Sequence, residues 1–480
     1  MDKNLFNLNH LETIFNPKHI AFIGASESSA FGAMLYLKAF QNSKWKETFY
    51  PVNPKREKIL DWKCYPSILD VPYSIDTAYI SLKVNYVLQA VRECVEKKIP
   101  WIIIFASGFS ETGEALGRKL EKDLVKIVKN TNTRIVGPNC LGPYNSDNGM
   151  MFSTSFAKQG IPGTISFMSQ SGGHLTQLLD VGNKRDIRFR YGVSFGNQID
   201  LNCLDFIKLF REDHKTKIIV AYLESFGSAN GHEFFLELQK TTKTKPVIIW
   251  KGGFTEDGSR AAFSHTGALA SNLRLWETMA KQTGATLVED SEEWWNAMKT
   301  FELLFPKHIP NGRNIAIVTP GGGNSVSSCD LFASYNLKVP ELTSDSQNKI
   351  AQVLPKENVN IKNPIDLGAV GFVVDIFIKC IEICAEDPNI DIVIVPLWPH
   401  HLFSYVFKRM FAIQAKASKP FVYCVPSISD SHELAQRFNI IRKFLNKTRI
   451  LYFLSLRDAA KSVSLYCDYV DYLKSHNFKI

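Results

Sequence analysis

Residues 19–24 read His19-Ile20-Ala21-Phe22-Ile23-Gly24, a short β-rich run that meets a glycine turn and leads into a helical stretch. The same succession of strand, glycine turn and helix recurs at residues 164–173 and at residues 314–323. Between these three starts, short β-rich runs alternate with amphipathic helical stretches. That βαβ alternation predicts parallel, doubly wound sheets. The predicted fold class is therefore α/β, with three consecutive doubly wound units that share an architecture but no repeated sequence.

The domain limits follow from where this alternation restarts. The first predicted domain covers residues 1–146 and the second covers residues 147–304. Residues 305–312, which contain two prolines and a glycine, are typical of a linker. The third predicted domain covers residues 313–480. A chain of 480 residues suits this number, since domains usually contain ~100–200 residues.

The composition is that of a globular protein, with 45% hydrophobic and 21% charged residues. The net charge is +9, but Lys and Arg are scattered, which does not indicate a nucleic-acid-binding face. A modest positive excess suits anionic substrates such as phosphates, coenzyme A (CoA) and carboxylates. We therefore expect a small-molecule partner and no nucleic acid.

The cysteines and apolar runs indicate the compartment. The nine cysteines form no C-x-x-C pair, so we expect a reduced, cytoplasmic chain with no zinc site and no disulfide framework. The longest apolar run, residues 99–109, is far shorter than the ~18 residues that span a bilayer. The amino terminus has no apolar signal core. We expect a soluble protein without a membrane partner.

A glycine-spaced loop of small residues surrounds His265, and residues 258–270 read Gly-Ser-Arg-Ala-Ala-Phe-Ser-His-Thr-Gly-Ala-Leu-Ala. It follows a short apolar run, residues 246–250, that is typical of a buried parallel strand. Such a loop can bring an imidazole close to a phosphate, and imidazole is a competent nucleophile toward phosphorus. The alternative is a loop histidine that only hydrogen-bonds a neighbour.

Glu224 lies at the carboxyl end of the strand immediately before the one that leads to His265, so we expect its carboxylate beside the histidine loop. A carboxylate that accepts a hydrogen bond from one ring nitrogen fixes the tautomer and leaves the other nitrogen free to attack. A solvated glutamate at the end of a strand fits the same position equally well.

Two glycine turns are candidate anion sites, because ligands of open parallel sheets sit at the carboxyl ends of the strands. The turn at residues 169–173, Ser-Gln-Ser-Gly-Gly, lacks the lysine of a Walker loop but can bind an oxyanion through its N–H groups and hydroxyls. The turn at residues 24–32 departs from G-x-G-x-x-G. Asn53 and Lys55 stand where an NAD site carries an acidic residue, which favours a nucleotide with an extra phosphate, either NADP or CoA. Either turn can also serve folding alone.

Taken together, the ordered motifs resemble the NDP-forming (ADP-forming) acyl-CoA synthetases, relatives of the succinyl-CoA ligase alpha subunit. The motifs are Gly24-Ala25-Ser26, Pro51-Val52-Asn53-Pro54-Lys55, Gly137-Pro138-Asn139-Cys140-Leu141-Gly142, Ser169-Gln170-Ser171-Gly172, Ser264-His265-Thr266-Gly267 and Asn363-Pro364-Ile365-Asp366. The resemblance covers nearly the whole chain. It implies a Rossmann-like CoA-binding domain followed by two flavodoxin-like, succinyl-CoA synthetase-like domains.

The resemblance also implies an activity and its residues. The family, which are acid–thiol ligases, interconverts acyl-CoA, phosphate and NDP with the free acid, CoA and NTP. By this similarity His265 is the phosphorylated residue and Glu224 is the carboxylate that orients it. The implied phosphate-binding residues are Ser169, Ser171, Gly172 and Gly173. The implied CoA-binding residues are Gly24, Ala25, Ser26, Phe31, Gly32, Asn53, Lys55, Ser107, Gly108, Asn139 and Cys140, with Cys140 near the thiol end.

Fused members of the family continue into an ATP-grasp module, whereas this chain ends at Ile480 with a third doubly wound unit. The resemblance therefore implies an alpha component that works with a separate ATP-grasp beta subunit in a heterotetramer. ATP or ADP with Mg²⁺ is expected on that partner, a small carboxylic acid and CoA are the expected substrates, and no metal is expected here. The chain departs from the family at residues 81–83, at His174 and at residues 324–325, which bears on acyl specificity. His174 fits a substrate contact, a capping role or a solvated position.

Two other functions fit the residues. One is a catalytically silent CoA- or acyl-CoA-binding regulatory protein. The other is a related acyl- or carbamoyl-transfer subunit that uses a different nucleophile. An NADP dehydrogenase is disfavoured because the glycine fingerprint is missing.

Overall fold

The computed structural model describes residues 8–27, 32–152, 162–258, 260, 273–355, 360–398, 401–425 and 432–478. The chain divides into two compact units, Met1–Glu289 and Asp290–Ile480. Unit 1 contains two large sheets and unit 2 contains one.

The strands are β1 (Ile20–Ile23), β2 (Phe49–Val52), β3 (Lys58–Ile59), β4 (Trp62–Lys63), β5 (Thr77–Ile80), β6 (Trp101–Ile104), β7 (Arg134–Val136), β8 (Gly142–Asn145), β9 (Ile165–Ser169), β10 (Phe189–Ser194), β11 (Ile218–Leu223), β12 (Val247–Lys251), β13 (Thr286–Val288), β14 (Ile315–Thr319), β15 (Ile365–Asp366), β16 (Ile392–Pro396), β17 (Phe421–Cys424) and β18 (Tyr452–Phe453). The helices are α1 (Leu8–Leu11), α2 (Ala33–Gln41), α3 (Val84–Glu96), α4 (Ala115–Val128), α5 (Gly172–Arg185), α6 (Cys203–Glu212), α7 (Gly231–Thr242), α8 (Leu273–Thr283), α9 (Ser291–Leu304), α10 (Gly322–Ser334), α11 (Ser344–Val353), α12 (Val374–Glu386), α13 (Ser404–Lys416), α14 (His432–Lys447) and α15 (Leu456–Ser475).

The first sheet is wholly parallel and has the order β2-β1-β5-β6-β7. Its strands are continuous apolar runs, as in β6, where all four residues are buried. Continuous rather than alternating apolar character is what a parallel sheet needs, since helices cover both of its faces. The strand order changes direction between β1 and β5, which creates a crevice at their carboxyl ends.

The second sheet has the order β13-β12-β11-β9-β10-β8. Its strands are parallel except β8, which runs antiparallel to β10 at the edge. The order changes direction between β9 and β11, so the crevice of this sheet lies between the turns that follow those two strands. β8 occupies residues that the sequence prediction assigns to the first domain.

The third sheet, in unit 2, is parallel with the order β15-β14-β16-β17-β18. Its core contains apolar side chains from β14, β16, β17 and the flanking helices. Helix α9 also belongs to unit 2. Its Phe301 ring packs edge-on against Tyr466 of α15 with 5.2 Å between the ring centres, and Glu302 pairs with Arg449 at 2.9 Å.

The prediction of three doubly wound α/β units is confirmed, because the five parallel strands of each sheet share one order. The limits of the three domains remain a prediction. Among the described residues, no helix is long and apolar enough to cross a membrane.

Candidate active site

The glycine turn after β1 occupies the crevice of the first sheet. Gly24 has a φ of +91°, and a Cβ atom on it would lie 2.1 Å from the carbonyl oxygen of Ser81, which follows β5. Only glycine allows this approach. The glycine turn that resembles a CoA site therefore contacts residues 81–83, where the sequence departs from the pattern of the family that it resembles.

Asn53 connects the same turn to the end of β2. Its side-chain Nδ2 donates to the carbonyl oxygen of Ala25 at 2.8 Å, and its Oδ1 accepts from the Lys55 amide at 2.9 Å. Ala25 is buried, whereas the Lys55 side chain is exposed. The exposed Lys55 ammonium is suited to bind a phosphate from solution. The hydrogen bonds of Asn53 hold the backbone of the turn in place.

Gly32 begins the helix of this crevice. It is the N-cap residue of α2, has a φ of +80°, and would place a Cβ atom 2.6 Å from the ring of Phe105. Among the described residues no side chain caps this helix end, and free N–H groups at the start of a helix can bind an anion. Ser26 is half-buried in the same turn. Phe31 lies outside the described residues.

The turns after β6 and β7 carry the remaining CoA candidates. Gly108 has a φ of +104° and Ser107 beside it is exposed. Asn139 has a φ of +59°, and its amide donates to the carbonyl of Ala106 at 3.0 Å, which joins the two turns. The first sheet therefore brings residues 24–26, 53–55, 107–108 and 139 to its carboxyl edge.

Cys140 is placed differently from these residues. Its thiol lies 3.4 Å from the carbonyl of Val136 and 3.5 Å from that of Ile104, and the residue is 3% exposed. Burial raises the pKa of Cys140 to about 12, so the thiol stays protonated and inert. A location near the thiol end of CoA remains a prediction for this residue.

The turn after β9 lies in the crevice of the second sheet and leads into α5. Ser169 Oγ donates to the carbonyl of Ser171 at 2.7 Å, and Ser171 Oγ accepts the His174 amide at 3.3 Å as the N-cap. The amides of Gly172 and Gly173 have no partner among the described residues. Two unpartnered amides at the positive end of a helix form an anion site.

Gln170 joins this turn to the turn after β11. Its Oε1 accepts the amides of Glu224 at 2.8 Å and Ser225 at 3.0 Å, and its Nε2 donates to Ser225 Oγ at 3.1 Å. Gln170 is 5% exposed, so these bonds form away from water, where leaving them unmade would be costly. Sequence reasoning missed this role, because no local pattern indicates that the Gln170 side chain reaches a turn 54 residues further along the chain.

Glu224 lies beside Tyr222 and Lys251. Tyr222 donates its hydroxyl to Glu224 Oε1 at 3.2 Å, and burial, followed by the charge of Glu224, raises the pKa of Tyr222. Lys251, at the end of β12, is 2% exposed. Burial lowers the pKa of Lys251 to about 8, and the charge of Glu224 opposes that shift. Lys251 is a further site residue that sequence reasoning missed, since the apolar run before it gave no sign of a buried ammonium.

The loop that carries His265 leaves β12 next to Glu224. The Gly252 amide donates to the carbonyl of Leu223 at 2.9 Å, and a Cβ atom on Gly252 would lie 3.2 Å from Glu224 Cγ. The chain therefore passes within contact distance of Glu224 as it enters the loop. His265 and its neighbours at 264, 266 and 267 lie outside the described residues, so the His265–Glu224 pair remains a prediction.

His174 is the third residue of α5 and packs among aromatic rings. Its ring centre lies 4.1 Å from that of Tyr222 and 4.6 Å from that of Trp250. Burial lowers the pKa of His174, and a contact with Gln177 opposes that change, so the imidazole is predominantly neutral at pH 7. Its backbone amide is capped by Ser171, while its ring is only partly covered.

The motif at residues 363–366 serves the third sheet. Asp366 Oδ1 accepts the amides of Gly321 and Gly368, both at 2.9 Å, and Asn363 Oδ1 accepts the Ile317 amide at 3.0 Å. These bonds hold the glycine turn after β14 against the end of β15. The motif's role in the described structure is therefore to shape a turn.

Comparison with known proteins matches two domain families to unit 1 and the start of unit 2. The family model of a CoA binding domain matches residues 18–145, and that of a succinyl-CoA ligase like flavodoxin domain matches residues 162–301. The first match contains the turns at residues 24–26, 53–55 and 107–108. The second contains the turn at residues 169–173, Glu224 and the His265 loop.

Relatives of known name extend over most of the chain. The alpha subunit of ADP-forming acetate–CoA ligase II from Pyrococcus furiosus is 34% identical, over 80% of this chain and 81% of the relative. ADP-forming acetate–CoA ligase II from Archaeoglobus fulgidus is 32% identical over 92% of this chain, but the match spans only 65% of that longer protein. ADP-forming acetate–CoA ligase I of the same organism is matched over 55% of its length.

A solved structure has the same fold. Acetyl-coenzyme A synthetase 1 of Ca. Korarchaeum cryptofilum, described as dinucleotide forming and determined in complex with phosphate and ADP, superposes with a TM-score of 0.83 and 28% identity. The superposition covers 97% of this chain and 98% of that one. Because it is 34% identical to a named alpha subunit over about four fifths of both proteins, this chain belongs to the ADP-forming acyl-CoA synthetase family.

Proposed function

We propose that this chain is the alpha component of an acid–thiol ligase that catalyses acid + CoA + ATP = acyl-CoA + ADP + phosphate. The observation that carries this proposal is the crevice of the second sheet. There, the amides of Gly172 and Gly173, which have no partner in the part of the chain that the structure describes, lie at the same edge as Glu224, and Gln170 bonds the two turns together. An anion site linked to a carboxylate, at the start of a histidine loop, suits phosphoryl transfer through an imidazole.

In the direction of ATP synthesis the reaction has three balanced steps. Inorganic phosphate attacks the thioester carbonyl, which gives an acyl phosphate and releases CoA. A ring nitrogen of His265 then attacks the phosphorus, so the P–N bond forms as the P–O bond to the acid breaks. ADP finally takes the phosphoryl group from His265. Ser169, Ser171, Gly172 and Gly173 hold the phosphate, and Glu224 orients the ring.

CoA is proposed to bind along the carboxyl edge of the first sheet. The match to a CoA binding domain over residues 18–145 supports this, as do the exposed Lys55 and the start of α2, which no described side chain caps. An anion at that helix end meets both the helix dipole and the lysine ammonium. The turns at residues 107–108 and 139 complete the proposed site.

ATP or ADP with Mg²⁺ is proposed to bind to a separate ATP-grasp beta subunit in a heterotetramer. The Pyrococcus furiosus relative is named as an alpha subunit, which supports a partner chain. A cytoplasmic location is proposed because all nine cysteines carry free thiols.

The test is reconstitution of the ligase with the ATP-grasp partner. Acyl-CoA and ADP are expected in equal amounts from ATP, CoA and a short carboxylic acid, and neither is expected from this chain alone. His265→Ala should abolish the reaction, whereas Glu224→Gln should reduce it about 10²-fold through loss of ring orientation.

The competing functions predict different results for ligation, CoA binding and phosphate exchange. A silent CoA-binding regulator would bind CoA in calorimetry while no ATP-grasp chain restored ligation. An acyl- or carbamoyl-transfer subunit with another nucleophile would exchange labelled phosphate into an acyl phosphate, while His265 of the wild-type chain would take up no label. Either result would overturn the proposal.

A further inference from the structure

The turn after β10, residues 195–199, runs along one of the proposed CoA turns. The Asn197 amide donates to the carbonyl of Pro138 at 3.0 Å, and the Ile199 amide donates to that of Gly137 at 3.2 Å. A Cβ atom on Gly196 would lie 2.1 Å from the Pro138 carbonyl oxygen. These close contacts fix the backbone of residues 195–199. They therefore fix the position from which the Asn197 side chain extends.

The Asn197 side chain reaches the other CoA turn, which follows β6. Its Nδ2 lies 2.7 Å from Glu111 Oε2 and 2.7 Å from Glu121 Oε1, with Ser110 Oγ at 3.3 Å. An amide nitrogen carries two protons, so it can donate one to each carboxylate. Asn197 is thus a bridge between two acidic side chains.

Glu111 connects Asn197 to the backbone of the proposed CoA turn. Its Oε1 accepts the amide of Gly108 at 2.6 Å and that of Phe109 at 3.1 Å. Glu121 Oε1 accepts the Ser110 hydroxyl at 2.7 Å. One carboxylate of the pair therefore holds residues 108–109 and the other holds the next residue.

Two carboxylates this close repel each other unless donors lie between them. Burial raises the pKa of Glu121 and the charge of Glu111 adds to the rise, while hydrogen bonds from Asn197 and Ser110 oppose it. Without the amide of Asn197, both carboxylates lose a donor and Glu111 is pushed away from Glu121. The Gly108 amide, which Glu111 holds, would move with it.

We propose that Asn197 is a positioning residue for CoA, which sets the turn at residues 107–109 from the second sheet by clamping Glu111 and Glu121. The inference rests on the proposed function, since that function places CoA at this turn. The next residue, Gln198, donates its Nε2 to the carbonyl of Ser225 at 3.3 Å, beside Glu224. One turn therefore contacts both the proposed CoA turns and the turn that carries the proposed phosphoryl-transfer carboxylate.

The test compares Asn197→Ala with Asn145→Ala in the full chain. Asn145 is buried and also donates its Nδ2, to the carbonyl of Phe15 at 3.1 Å, but at the β8 edge of the second sheet. The dissociation constant for CoA, measured by calorimetry, should rise about tenfold or more in Asn197→Ala, as expected for loss of charge-assisted hydrogen bonds. Asn145→Ala should leave it unchanged. In the reconstituted ligase, the KM for CoA should rise in Asn197→Ala while the KM for the acid and the phosphorylation of His265 by ATP stay at wild-type values.

Glu111→Ala provides a second variant, at a half-buried position in contrast to a core residue. Glu111→Ala should raise the dissociation constant for CoA to a similar degree. The double variant Asn197→Ala/Glu111→Ala should bind CoA no more weakly than either single variant, because both substitutions break the same hydrogen-bond network. Equal CoA affinity in Asn197→Ala, Asn145→Ala and wild type would overturn the inference and leave the proposed function intact. A wild-type chain that binds no CoA would overturn both.

Discussion

Gly24 is the residue on which the geometry of the first crevice most depends. Its φ of +91° and the Ser81 carbonyl 2.1 Å from its absent Cβ atom leave no room for a side chain. Gly24→Ala should lower the free energy of unfolding by about 1 kcal/mol for the backbone conformation and about 1–3 kcal/mol more for overpacking. Denaturant unfolding measures this loss, and calorimetry should show that CoA binding is lost with it.

Gly113 supplies the matched control. Its φ is +76°, but no atom lies within 4 Å of the position its Cβ would take. Gly113→Ala should therefore cost only about 1 kcal/mol. Equal losses for the two variants would contradict the contact between the glycine turn and Ser81.

The buried Lys251 should make the free energy of unfolding depend on pH. Its pKa is about 8 in the folded protein against an ordinary value of 10.5, so between these values the unfolded chain binds a proton that the folded chain does not. Stability must therefore fall as the pH falls through this window. Lys251→Met removes that titration. The variant should gain about 3 kcal/mol of stability relative to wild type between pH 10.5 and pH 8, measured by denaturant unfolding.

Lys119→Met on α4 removes a charge from an exposed side chain and serves as the control for Lys251→Met. A stability difference between Lys251→Met and wild type that stays constant from pH 10.5 to pH 8 would contradict the buried position of the ammonium.

Residue-scale features were the hardest to predict from the sequence. Glycine turns at strand ends could be recognised because both the turn and the strand are local patterns. The bonds of Gln170 to Glu224, and of Asn197 to Glu111, join turns that are 54 and 86 residues apart in the chain. No local pattern indicates which polar side chain of a turn will cross to another turn.

At the scale of elements, helix α5 links stability to the proposed phosphate site. Ser171 caps this helix, and Asn230 caps α7 by accepting the amides of His232 and Glu233. Ser171→Ala and Asn230→Ala should each cost about 1 kcal/mol in denaturant unfolding. Only Ser171→Ala should slow phosphorylation of His265, by about tenfold or more, because its hydroxyl belongs to the proposed phosphate site. Equal phosphorylation rates in the two variants would contradict a role of the Ser171 hydroxyl in the proposed phosphate site.

Strand order could be predicted only in part. The βαβ alternation indicated parallel, doubly wound sheets, and the three sheets confirm it. The antiparallel β8 was not recognisable, since Gly142-Pro143-Tyr144-Asn145 is short and contains a glycine and a proline, which usually mark a turn. It forms a strand because β10 offers an open edge, which is a property of the sheet rather than of the segment.

At the scale of the whole molecule, α9 decides where one compact unit ends and the next begins. The match to the succinyl-CoA ligase like domain extends to residue 301, whereas the structure groups α9 with unit 2. Phe301 is fully buried between Tyr466 and Tyr469. Phe301→Ala should therefore lower the stability of unit 2 by about 3–5 kcal/mol.

Amide hydrogen exchange shows which part of the chain Phe301→Ala destabilises. The amides of α15 should lose protection in Phe301→Ala, while those of β9, β11 and β12 keep it. Loss of protection confined to the second sheet would instead place α9 with the domain that precedes it in the chain.

The central claim is that His265 carries a phosphoryl group between an acyl phosphate and a nucleotide. Its most direct test is to incubate the chain with its ATP-grasp partner and [γ-³²P]ATP, without acid or CoA. We expect label on this chain, labile to acid and stable to alkali, that is reduced in Glu224→Gln and absent in His265→Ala. Label that persists in His265→Ala, or a wild-type chain that takes up none, would contradict the account.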